Sequence, residues 1–174
     1  MTRLAALVLL AASLAPAPAH ADEPAAPDAF ADLRPLIGGW SGRMICDDGN
    51  FSIGMAVEDK EGKIAARYST IMVGTSAKAA GSATLEAGAK PGKFTAGAQS
   101  PAGQATVRIA AAEKGRLLIF SPDPAMTGLL ALIKFSGTAR LDKARANARI
   151  RYTMKTPIGV ESCSGTMAKV PAAN

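Results

Sequence analysis

The 174-residue chain predicts an all-β fold: a single antiparallel up-and-down β-barrel of about eight to ten strands, entered through a short N-terminal helical turn, with a disulfide joining its first and last strands. Three observations carry that expectation. From Trp40 onward the hydropathy alternates with period two, the period of a strand with one buried face, and helical spacing almost vanishes. The strand-like segments are short and evenly spaced, and Gly, Pro or polar turn formers fill each gap. The chain has two cysteines, Cys46 in the first strand-like segment and Cys163 in the last. If they pair, those two strands must touch, which closes the meander into a barrel.

Residues 1–21, "MTRLAALVLLAASLAPAPAHA", have the three parts of a secretory signal: the cation Arg3, an apolar run from Leu4 to Ala12, and the small-residue site Ala19-His20-Ala21. A bilayer span needs about 20 apolar residues, more than the run provides. The expectation is cleavage after Ala21, no membrane span, and a periplasmic or secreted protein in which two cysteines form one disulfide. Residues 22–37 read as a Pro/Ala-rich tether followed by one amphipathic turn. Asp28 is its cap candidate, with Phe30, Leu33 and Leu36 or Ile37 on one side. Gly38-Gly39 ends that turn, and the barrel domain is expected over 38–171.

In "NFSIGMAVED", Phe51, Ile53, Met55 and Val57 alternate with Ser52, Gly54, Ala56 and Glu58. The turn Asp59 to Lys63 then returns the chain into "IAARYSTIMVG", completing a hairpin. Further strands are expected over Ala80 to Ala87, Lys93 to Gln99, Gln104 to Ala112, Arg116 to Ser121, Ile133 to Leu141, Ala144 to Lys155 and Val160 to Val170. The run Gly128 to Phe135, "GLLALIKF", reads either as a buried strand entry or as a flap made of Met126, Leu129, Leu130 and Leu132.

Composition narrows the chemistry. His20 is the only histidine and leaves with the signal, which removes histidine triads, histidine-type zinc sites and a histidine pH switch. Oxidised cysteines offer no thiol nucleophile, and "CDDGN" is a turn sequence without the spacing of a calcium loop. The chain is therefore expected to be a binding module, not an enzyme, without cofactor or metal. Its net charge of +6 falls to +5 once Arg3 is removed. An exported basic protein meets anionic lipid headgroups, polysaccharides or acidic proteins, and with 5% aromatic residues it is poorly equipped to stack nucleic-acid bases.

Two candidate sites follow. The inward positions include many alanines, among them Ala83, Ala87, Ala96, Ala98, Ala144, Ala146 and Ala148, which suggests lumen space for one small apolar or amphipathic ligand. Tyr68, Tyr152, Met154 and Glu161 are its ligand-binding candidates. Glu161 shares a strand face with Cys163, so a disulfide on the inner face would turn that carboxylate inward and raise its pKa. In "ARANARIRYTMK" the alternate positions put Arg145, Arg149 and Arg151 on the opposite, outer face, a docking surface for an anionic envelope partner.

The triplet Gly38-x-Trp40, the helical turn before it and the meander after it resemble the lipocalin and wider calycin group. The resemblance implies that Trp40 closes the base of the barrel, that a basic residue on the last strand stacks on it, and that a small apolar ligand fills the lumen. Where the group has an arginine, Lys169 is the only basic residue available. Met44-Ile45-Cys46-Asp47 together with Cys163 also resembles the tied first strand of periplasmic lysozyme-inhibitor barrels, though the leading aromatic is absent.

Overall fold

The computed structural model describes residues 27–100, 103–125 and 132–171. Ten antiparallel strands follow one another around a closed barrel: β1 (Gly38–Cys46), β2 (Gly49–Lys60), β3 (Lys63–Met72), β4 (Lys78–Ala87), β5 (Lys93–Ser100), β6 (Gly103–Ala112), β7 (Leu117–Pro122), β8 (Lys134–Leu141), β9 (Asn147–Thr156) and β10 (Gly159–Val170). Each strand pairs with its neighbours in sequence, and β10 returns to pair with β1. The period-two pattern is the cause: alternate side chains face a common interior, and closing the sheet leaves no unpaired edge. The predicted all-β barrel and its disulfide are both present. Cys46 and Cys163 stand directly opposite one another across the β1–β10 seam and are bonded.

One end of the barrel is plugged by the segment before β1. There a 3-10 helix, Arg34–Leu36, continues a turn in which Leu33 and Arg34 both donate to the Phe30 carbonyl. Asp28 accepts from the Phe30 amide at 3.0 Å and from the Arg34 guanidinium, which secures the turn ahead of the helix, while the helix itself starts after Leu33 without a side-chain cap. These bonds turn Phe30 and Leu33 into the barrel, where Phe30 stacks on Phe94 at 5.4 Å and Leu33 is 1% exposed. The β6–β7 turn closes over the same segment. Its Gly115 has a φ of +77°, and a Cβ there would strike the Asp32 carbonyl, so only glycine fits.

The opposite, far end carries the turns at 47–48, 73–77 and 157–158. The secretory signal proposed for residues 1–21 and the flap candidates Met126, Leu129 and Leu130 lie outside the described residues.

One expectation is corrected. The strand placed from Ala144 starts at Asn147, and Ala144, Arg145 and Ala146 belong to the β8–β9 turn. Asp142 is the reason: its carboxylate accepts from the Ala146 amide at 2.9 Å and from the Asn147 side chain at 2.8 Å, wrapping the turn three residues further than composition suggests.

Candidate functional site

Trp40 opens β1 on the inner face and is 3% exposed. Its indole nitrogen donates to the Leu36 carbonyl at 2.8 Å, which ties the barrel wall to the plug. Lys169, its partner across the β1–β10 seam, places its ammonium 6.0 Å from the ring centroid and donates to the Pro35 carbonyl at 3.1 Å. Gly38 makes room for that lysine stem, since a Cβ there would lie 2.9 Å from Lys169 Cε. The basic residue stacked on Trp40 is thus Lys169, working through both its charge and its packed stem.

Above the plug lies a cavity of ≈ 370 Å³. Leu33, Leu36 and Trp40 form its floor, and Ile53, Ile64, Leu85, Phe120 and Ile150 are among its walls. Two of the small residues picked out as spacers, Ala83 and Ala96, line it directly. They leave space because strands β4 and β5 present methyl groups where β2 and β9 present isoleucines. No polar or charged residue among the described ones is fully buried, and the cavity wall is apolar apart from Tyr68 and Thr70.

The four ligand-binding candidates separate by depth. Tyr68 lines the cavity, leaning across the pleat at Gly81. Tyr152, Met154 and Glu161 also occupy inner-face positions, but nearer the far end and outside the cavity wall. Tyr152 Oη lies 3.9 Å from Cys46 Sγ, and Glu161 Oε1 lies 3.4 Å from Cys163 Sγ, so both polar groups border the disulfide. Burial first, and then the neighbouring Asp48 and Asp47 carboxylates, hold the Glu161 carboxyl above its ordinary pKa. Burial, followed by the charges of Glu161 and Asp48, likewise raises the Tyr152 phenol.

This has a stability consequence. With its folded pKa above its unfolded one, Glu161 gives the folded state more protons between the two values, and stability falls as pH rises through that interval. Glu161→Gln is therefore expected to raise stability at neutral pH and to flatten this part of the acid profile. Urea unfolding at several pH values checks it; an unchanged pH profile would remove Glu161 from the rim charge balance.

Asp47 and Asp48, weighed earlier as a cation site, form the two-residue β1–β2 turn. Asp47 accepts from the Ser162 amide at 2.8 Å. The ligating atoms of Cys46, Glu161 and Cys163 also approach each other, but two of the three are the sulfurs of the disulfide and offer no thiolate.

On the outer face the arginine stripe is corrected. Arg149 and Arg151 project from β9, whereas Arg145 sits in the turn with a φ of 55°, its guanidinium bonded to the Lys114 carbonyl. The place expected of Arg145 is taken by Arg43. Across β1, β10 and β9 the register aligns Arg43, Thr166 and Arg149 in one row, and Ile45, Ser164 and Arg151 in the next. Together these side chains line a groove of ≈ 310 Å³. Arg43 was missed because its membership depends on a pairing between strands more than a hundred residues apart in sequence.

No protein-family model matches the chain, and no curated protein is similar to it in sequence. Among solved structures, the barrel is similar to the S-type phycobiliprotein lyase CPES from Guillardia theta, with a TM-score of 0.55 and 8% sequence identity over 80% of this chain and 90% of that one. At that identity the likeness is one of fold. It still corrects the expectation that the chain is not an enzyme: a protein named a lyase is built on this barrel, so the architecture carries catalysts. Having a single histidine, His20, and no free thiol therefore does not rule out chemistry in the lumen. Among the described residues no helix is long and apolar enough to cross a membrane.

Proposed function

We propose that the chain is an exported barrel that holds one small apolar or amphipathic ligand in its lumen. The observation that carries this is the ≈ 370 Å³ cavity between the Trp40 floor and the far end, walled by apolar side chains. Its volume lies within the range of about 300 to 1,000 Å³ typical of small-molecule sites. An apolar lining of that extent left in contact with water is unfavourable, at about 25 cal/mol per Å² of apolar surface. A ligand with an apolar body removes that cost. Tyr68 is the polar group best placed to orient it.

Native mass spectrometry of the purified protein and displacement of a fluorescent apolar probe test the proposal. Filling the cavity supplies the control. Ala83→Leu and Ala96→Leu are each expected to weaken probe binding roughly tenfold or more while raising the stability of the ligand-free protein by about 0.5 to 2 kcal/mol. Probe binding that survives both substitutions would place the site elsewhere; their destabilising the protein would mean the cavity does not exist in solution.

A further inference from the structure

The barrel is polarised end to end in a way that the lumen does not require. Eight large apolar side chains stand exposed among the described residues, and six are at the far end: Ile45, Ile71, Val73, Leu132, Ile158 and Val160. Ile158, in the β9–β10 turn, is 98% exposed. Cations share this end: Lys78 pairs with Ile71, Lys155 pairs with Val160 and with Lys134, Arg151 lies in the row of Ile45, and Arg43 in the row of Ile71. None of the five has an ion-pair partner among the described residues. At the plugged end the pattern is reversed. Arg34, Lys63, Arg67, Arg116 and Arg140 are each paired there with Asp28 and Asp59, Glu86, Glu58, or Glu113.

The far-end carboxylates are occupied elsewhere. Asp47 bonds the Ser162 amide, Asp123 accepts from Arg108 and the Ala125 amide, and Asp48 and Glu161 face one another inside the rim. Lys134 opposite Lys155 is a like-charge cross-strand pair, which destabilises a sheet unless something anionic lies over it.

We propose that the far end docks on an anionic lipid bilayer, with the aliphatic tips in the headgroup and acyl boundary and the cations among the lipid phosphates. The make-up of the rim favours a membrane over a protein partner. Val73, Leu132 and Ile158 lie in connections beyond the strands, while Ile45, Ile71 and Val160 stand level with Arg151, Lys78 and Lys155, so aliphatic and cationic side chains form one mixed rim spread around the barrel end and not one groove. A protein-binding centre is usually built on Trp, Tyr and Arg in a packed pocket, whereas these tips are isolated Ile, Val and Leu. The docking surface stands independently of the lumen reading. If both hold, the lumen opens toward the phase in which an apolar ligand dissolves.

The test is vesicle flotation of the full chain, its N-terminus after expression defined by mass spectrometry, with phosphatidylcholine vesicles and with the same vesicles carrying phosphatidylglycerol. The protein is expected to float with the anionic vesicles, and less so as salt is raised. Ile158→Ser with Val160→Ser should lower partitioning roughly tenfold or more, and Lys134→Gln with Lys155→Gln by about fivefold per charge. Both pairs are exposed, so folding is retained. Lys63→Gln with Arg67→Gln, at the plugged end, should change nothing. Equal flotation with both vesicle types, or indifference to Ile158 and Val160, overturns the proposal. So does a dimer by light scattering that the Ile158 and Val160 change dissolves while vesicles go unbound, because the tips would then meet a second copy. Probe binding in vesicle-free buffer reads the lumen separately.

Discussion

Replacing Cys46 and Cys163 together by alanine is expected to lower the unfolding free energy by about 3 to 5 kcal/mol. The bond spans 117 residues, so its removal returns to the unfolded chain the freedom of a loop of nearly barrel length. It also removes the covalent tie at the one strand pair that no hairpin enforces. Every other pairing joins consecutive strands through a turn, while β1 and β10 meet only when the circle closes. Against a total of about 5 to 15 kcal/mol, the loss decides whether the barrel is folded at elevated temperature. Urea midpoints of the oxidised protein and the double variant measure it. A difference below about 1 kcal/mol would mean that the seam is held by its ladder and core alone.

Trp40→Ala is expected to be comparably damaging, at about 3 to 5 kcal/mol, because it empties a site that is 3% exposed. It also deletes the indole bond to Leu36, leaving the plug held by Phe30 and Leu33 without its link to β1. Two readouts separate loss of packing from loss of that link. Trp40→Phe keeps most of the apolar volume and should recover most of the stability, yet protease should still cut more readily within residues 27–37 than in the parent. Lys169→Met keeps the stem and removes the charge over the ring, and is expected to cost only about 0.5 to 1 kcal/mol. If Trp40→Ala cost no more than Lys169→Met, the floor of the cavity would not rest on the tryptophan.

The facing of residues was legible in the sequence to a degree that their depth was not. Tyr152, Met154 and Glu161 were selected by strand alternation and Tyr68 for its hydroxyl, and all four occupy inner-face positions. Only Tyr68 reaches the cavity, because height along the barrel is set by register and stagger between strands, and neither leaves a mark in the composition of any one strand. The same limit explains the outer face. Arg149 and Arg151 follow from the β9 pattern, whereas Arg43 and Ile45 join them through the β1–β10–β9 register. Arg145 failed for a local reason: Asp142 recruits the Ala146 amide and Asn147, and side-chain bonds of that kind override the alternation over Ala144 to Ala146.

By itself the sequence determined what is local or covalent. Period-two alternation with short polar turns specifies antiparallel hairpins, and two cysteines at the ends of that run admit one pairing, so barrel and closure followed. Tertiary structure alone decided what depends on which strands lie level with one another: a cavity where Ala83 and Ala96 face larger residues, a carboxylate held beside a disulfide at the rim, and exposed aliphatic side chains gathered at one end among cations that have no ion pair within the described residues. The physical reason is that a side chain's face is set by its own backbone, while its neighbours are set by the closure of the whole sheet.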